Sequence, residues 1–327
     1  MNRSTPFYRP ILIAGFRTAL RERWLAGYAL LAGLVIGSGF GSAILQALNE
    51  DSTGGLRDAM LHPTTGMFRT IADLFAQASA TGIGATLGLA AFGLAILALI
   101  AAIVWGTVVG ANALVLAAHA IDRGAAIPRP LARPARERVV PALALHLLAK
   151  AAALIVLLLW ATMLASAASS NHPIATAGGI IAFTITILFL TIMHIVTPLS
   201  LTAIVLKNER ALPAIRSAWT LLRAHTLLLV ETSFLLTVLQ AASIGAWMVS
   251  GFIATLPFIF LGGIGVTHGI AGLFTAATIG GAIILLALLV IIAAIATTVT
   301  ITVWTTISLR ITSSDDPPTA WVARLGT

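Results

Sequence analysis

The chain has 327 residues, of which 59% are hydrophobic and only 9% charged, with a mean hydropathy of +1.02. An ordinary soluble domain carries about 25% charged residues, so this composition excludes one. Cysteine is absent, which removes disulfides, thiolate metal sites and thiol nucleophiles together. The formal net charge of +8 reads as basic cytoplasmic loops facing anionic lipid rather than as a nucleic-acid surface.

In chain order, the hydropathy predicts an all-α polytopic membrane protein with six transmembrane helices and cytoplasmic interfacial amphipathic helices. Residues 1–23 form a cytoplasmic arm, 24–310 the six-helix transmembrane domain, and 311–327 a cytoplasmic tail. The first apolar run begins near Leu25, reaches Leu48 and lacks a following A-x-A site. It is therefore expected to be a retained span rather than a signal peptide. The spans are placed at about Trp24–Leu48, Ile83–Ile121, Pro141–Ala168, Ile174–Leu206, His225–Leu256 and Ala276–Arg310. Four of them exceed 30 residues, well beyond the roughly 20 a bilayer requires, so they tilt or project beyond the membrane at their cytoplasmic ends.

The basic residues set the orientation. The arm carries five (Arg3, Arg9, Arg17, Arg21, Arg23). The loop after the second span carries five more (Arg123, Arg129, Arg133, Arg136, Arg138), with Lys150 just beyond it. Four follow the fourth span (Lys207, Arg210, Arg216, Arg223), and Arg310 and Arg324 lie at the end. Seventeen of the 19 Lys and Arg thus share one side, leaving Arg57 and Arg69 on the other. Positive charge marks the cytoplasmic side, which puts both termini there, in a prokaryotic inner membrane.

Two segments read as interfacial helices. From Pro10 to Trp24, the apolar Ile11, Ile13, Phe16 and Leu20 alternate with Arg17 and Arg21. From Leu212 to His225, Ile215, Trp219 and Leu222 form a stripe with Arg216 and Arg223 beside it. A basic amphipathic helix with boundary tryptophan lies in the headgroup plane, making Arg17, Arg21, Trp24, Arg216, Trp219 and Arg223 the expected anchors. Glu50–Ala80 is expected to hold a short external amphipathic helix. Pro257–Gly269, apolar and glycine-rich, reads as an external loop or as a re-entrant segment. The proline-broken Ile127–Pro134 reads as an extended connector.

Catalytic motifs are lacking: HExxH, GxSxG and a Gly-rich phosphate loop are all missing. The seven histidines are scattered without i,i+3 or i,i+4 pairs, so neither a metal nor another cofactor is expected. The intramembrane charges are the candidate site. Glu231 lies six residues past His225 and Lys150 nine past Pro141, about 9 and 13 Å along their helices. They either pair, with Asn112, His146 and His194 as polar neighbours around a cytoplasm-open cavity, or snorkel separately to the headgroups. The threonine run Thr297–Thr306 either bonds back to its own helix or faces a cavity.

The Arg216-Ser-Ala-Trp-Thr-Leu-Leu-Arg223 helix leading into a fifth span, within a six-span layout, resembles the membrane domain of some glycerophosphoryl diester phosphodiesterases and their stand-alone prokaryotic relatives. The resemblance implies no catalytic residue, because the phosphodiesterase domain itself is missing. The expected function is a non-catalytic scaffold or accessory component of a membrane assembly. The alternative is a transporter or flippase with a polar cavity open to the cytoplasm. Expected partners are membrane lipid, with anionic headgroups on the cytoplasmic side, and protein partners or a second copy, but not nucleic acid.

Overall fold

The computed structural model describes residues 8–22, 24–36, 76, 82–170 and 173–313. Among them the secondary structure is all helical: α1 (Tyr8–Arg21), α2 (Leu25–Ile36), α3 (Ile83–Asp122), α4 (Ala132–Glu137), α5 (Val139–Ser170), α6 (Pro173–Lys207), α7 (Ala211–Ala224), α8 (Thr226–Thr267) and α9 (Ala271–Ser313). Five of these, α3, α5, α6, α8 and α9, are long and apolar enough to cross a membrane. The chain is a multi-pass helical membrane protein. Of the first expected span, α2 covers the beginning. The expected external helix in Glu50–Ala80 falls almost wholly outside the described residues, as does most of the 311–327 tail.

Two expectations are corrected. Pro257–Gly269 is neither a loop nor re-entrant: α8 continues through Pro257 to Thr267, and the turn is confined to His268–Ile270. The glycines serve close packing there rather than chain reversal. A β-carbon at Gly265 would stand 2.7 Å from the Phe274 nitrogen, and Gly280 and Gly281 receive Phe258. The contact between α8 and α9 offsets the hydrogen bond that a helix-interior proline forfeits. The connector after α3 is likewise not extended throughout, since α4 forms within it.

The core lies at one end. Asp122 at the end of α3 meets Arg310 near the end of α9 at 3.9 Å, so the charged ends of these two helices coincide. In α3 every residue from Ile83 to Gly106 is exposed or half-buried. From Thr107 to Ala120 all but Leu116 and His119 are buried. The same half-division recurs in α9, where Val299, Val303, Trp304 and Ile307 are buried while Ile279, Ile283, Leu286 and Ile291 are exposed. One buried cluster joins α2, the covered half of α3, α4, the start of α5 and the end of α6. A second joins α1, α7, the start of α8 and the end of α9.

Helix length fits this division. The 40 residues of α3 span about 60 Å at 1.5 Å per residue, twice the hydrocarbon thickness of about 30 Å. The bare stretch Ile83–Trp105 alone spans about 33 Å. Apolar side chains without protein cover belong in lipid, and the covered half continues beyond them.

A polar cavity at the covered end

A cavity of about 240 Å³ lies between α5, α6 and α9, with Val115 of α3 closing one side. α5 contributes His146 and Lys150, α6 contributes His194, Thr197 and Thr202, and α9 contributes Thr300, Trp304 and Thr305. His146 and Lys150 are one helical turn apart and so share a face of α5. Pro198 also lines the cavity, inside α6. With no N–H of its own, it leaves the His194 carbonyl without its usual helical donor.

The lining is unevenly polar. α5 runs away from the charged end and α6 runs towards it. The residues farthest from that end are therefore Ala153, Leu190 and Met193, all apolar, whereas His146, Thr202, Trp304 and Thr305 lie deeper towards it. Lys150 is exposed at the side, and no Asp or Glu lines the space.

Four polar atoms on this lining have no hydrogen-bond partner among the described residues: His194 Nε2, Trp304 Nε1, Thr300 Oγ1 and Thr305 Oγ1. Trp304 is only 1% exposed, and its ring stands edge-on to His194 with centroids 6.3 Å apart. An unsatisfied buried donor or acceptor costs about 1–3 kcal/mol. Four such atoms beside one cavity form a cost that a well-packed apolar seam would have avoided; the indole N–H can only donate, whereas the two hydroxyls and the imidazole nitrogen can donate or accept, and all four atoms are themselves covered. Among the described residues no three His, Asp or Glu side chains gather to hold a metal ion.

Of the five intramembrane candidates, His146, Lys150 and His194 converge here. Asn112 and Glu231 do not line the cavity. Asn112, fully buried, donates from Nδ2 to the Ala135 carbonyl at 3.0 Å and so ties α4 to α3. Glu231 is half-buried on α8, which packs chiefly on α9, whereas α5 packs chiefly on α6. Sequence reasoning passed over Trp304. The available signal was a tryptophan inside the threonine run.

The residues expected as anchors surround this end. α1 buries Ile11, Gly15 and Thr18 against α9, Gly15 packing on Val299, and leaves Ile13, Phe16 and Leu20 exposed beside Arg17 and Arg21. α7 buries Ala211, Ala214, Ala218 and Leu222 and exposes Trp219 with the Arg223 guanidinium 5.2 Å from its ring centre. Arg216 is exposed beside them. Trp24 donates to Glu22 Oε2 at 2.8 Å, and Arg129 reaches both, 3.6 Å from that carboxylate and 4.8 Å from the indole centre. Each helix thus keeps a second, unburied apolar face edged with arginine, the arrangement suited to a headgroup boundary.

No protein-family model, curated protein or solved structure matches the chain.

Proposed function

We propose that the chain is a six-span protein of a prokaryotic cytoplasmic membrane with both termini in the cytoplasm, and that it binds a polar ligand in the α5–α6–α9 cavity, as a transporter or flippase does. The observation that carries this reading is a cavity between three helices with His146, Lys150, His194, Thr197 and Thr202 on its lining. A scaffold has no need of such a space, whereas transporters place their sites where polar groups meet within the bundle. The scaffold or accessory role is the second reading. Its support is the outer half of α3, whose exposed apolar face is open to a partner helix or a second copy. The resemblance to the phosphodiesterase-associated membrane domain agrees with either reading.

Thiol chemistry separates the two, because the native chain has no cysteine. Thr197→Cys and Lys150→Cys lie on the cavity lining, and Leu97→Cys is a control on the exposed apolar half of α3. In inside-out vesicles an anionic methanethiosulfonate should modify both cavity positions at least tenfold faster than position 97. Cavity positions as inert as the control would mean a bundle packed shut and would leave the scaffold reading standing.

A further inference from the structure

We infer that the open groove between α3 and α4 binds an anionic phospholipid of the adjoining leaflet, its phosphodiester held by Arg133 and Arg136 and an acyl chain lying below Trp105. This site is separate from the α5–α6–α9 cavity and does not depend on the ligand reading given to that cavity. Three observations carry it.

The first is the chemistry of the groove. Trp105 of α3 lines it together with Pro130, Ala132, Arg133, Arg136 and Glu137. Arg133 and Arg136 are three residues apart and so share a face of α4, and both are exposed. Arg129 and Arg310 each reach a carboxylate, Glu22 at 3.6 Å and Asp122 at 3.9 Å. Among the described residues Arg133 and Arg136 have no such ion pair. Two neighbouring guanidinium groups repel until an anion is shared between them, and their forked donors match phosphate oxygens. Glu137 is the only carboxylate among the described residues of this lining, so the groove keeps a surplus of positive charge. The carboxylate of Glu137 can only accept, and the hydroxyls of a glycerol headgroup supply the donor.

The second is depth. Trp105 ends the bare half of α3, whose stretch from Ile83 spans about 33 Å, close to the hydrocarbon thickness of about 30 Å. Its indole is 48% exposed, and a tryptophan so placed marks the headgroup boundary. The hydrogen bond from Asn112 to the Ala135 carbonyl holds the middle of α4 beside a residue about 10 Å beyond Trp105 along the helix. The headgroup layer is about 5–7 Å deep on each side. Side chains that reach from α4 towards Trp105 therefore enter the layer where lipid phosphates lie.

The third is the setting. Leu131 and Ala135 are fully buried in the core, so α4 is held in place and presents its arginines with little further ordering. On the membrane side of Trp105, on its own face of α3, Ala101 and Ala102 are exposed, followed by Leu97 and Leu94. Small residues beneath a large indole leave a shallow apolar seat for an acyl chain.

The test titrates lipid into the intact chain in a neutral detergent and follows thermal unfolding, each variant against its own lipid-free Tm. Dioctanoyl phosphatidylglycerol should raise Tm saturably, and dioctanoyl phosphatidylcholine should need about tenfold more lipid for the same shift. Glycerol 3-phosphate should give no shift over the same range. Arg133→Gln with Arg136→Gln should raise the half-maximal concentration of the glycerol lipid by roughly tenfold or more, the scale set by two arginines near anionic lipid. Trp105→Ala should weaken binding as well. Arg216→Gln with Arg223→Gln, the same charge change on α7, should bind as the wild type does.

Undiminished binding in the Arg133 and Arg136 double variant would overturn the inference, as would the absence of any shift. Equal losses in the two double variants would spread the lipid over the whole basic face and overturn the groove. An equal shift with glycerol 3-phosphate would make the ligand a free anion, and equal binding of phosphatidylcholine would remove the charge selectivity; each contradicts the proposal. Tighter binding of dioctanoyl phosphatidylethanolamine than of the glycerol lipid would put an ammonium group on Glu137 and contradict it too. Thiol reactivity at positions 150 and 197 tests the cavity alone, so the two readings fail separately.

Discussion

Gly110 is the position where one methyl group should do most harm, and the structure sets the size of the effect. A β-carbon there would stand 2.5 Å from the Tyr28 carbonyl oxygen, 3.1 Å from the Ala32 nitrogen and 3.2 Å from the Leu31 Cβ. Two of the three are backbone atoms of α2, so no side-chain rotation relieves the clash, and α2 must retreat from α3 by most of an ångström. Overpacking of this kind costs about 1–3 kcal/mol. Against it stands the gain from replacing a helical glycine by alanine, up to about 1 kcal/mol. The clash wins because both helices are held on their other faces by the buried cluster, and Gly110→Ala should lose about 1–2 kcal/mol. Gly88 is the control: it lies on the same helix with nothing within 4 Å of its β-carbon position, so Gly88→Ala should be neutral or slightly stabilising. Thermal unfolding in the same detergent should therefore place Gly110→Ala below the wild type and Gly88→Ala at or slightly above it. If Gly110→Ala unfolds no lower than the wild type, α2 does not approach α3 as described.

Other perturbations test separate parts of the structure. Asn112→Ala should destabilise by about 1–3 kcal/mol, because it strands the buried Ala135 carbonyl; an unchanged Tm would mean that α4 is not tied to α3 by this bond. Trp304→Phe removes an N–H that no described protein group accepts together with volume from a fully buried side chain, so it should cost about 1–2 kcal/mol from the void alone, and a loss well above that would reveal an acceptor within the protein. Reversing Arg17, Arg21, Arg216 and Arg223 together to Glu removes about 1 kcal/mol of attraction per residue near anionic lipid. It should lower the membrane-inserted fraction, and normal insertion with unchanged topology would rule these helices out as electrostatic anchors.

Legibility in the sequence followed the kind of signal each feature leaves. α5 and α6 end within a few residues of their expected limits, because Arg138, Lys207 and the Asn171–Pro173 break flank uniform apolar runs. The end of α8 was misplaced because Pro257 and the following glycines look like a helix stop. Only the partner helix shows why they are not, through the seating of Phe258 on Gly280 and Gly281. The change in α3 between bare and covered halves at Gly106 leaves only a faint trace in composition: Ile83–Gly106 is rich in Leu and Ile with Thr86 as its one polar side chain apart from Trp105, whereas Thr107–Ala120 carries Asn112 and His119, yet both read as one apolar run. The candidate site was half legible for a related reason. Counting residues along a helix gives depth, and the five polar candidates do lie on the covered side of the bundle. Direction around the helix decides which of them meet. Thus His146, Lys150 and His194 reach one cavity while Asn112 faces α4, and Trp304 enters the site on a face the sequence did not define.

The central claim is that the charged helix ends, and the cavity beside them, gather at the cytoplasmic face. Single cysteines in the otherwise cysteine-free chain test it directly: Ala126→Cys lies in the exposed loop after α3, and His268→Cys in the exposed turn between α8 and α9. With a membrane-impermeant maleimide on intact cells, position 268 should label at once and position 126 only after lysis. Labelling of position 126 from outside, with position 268 protected, would invert the protein in the membrane and contradict the account.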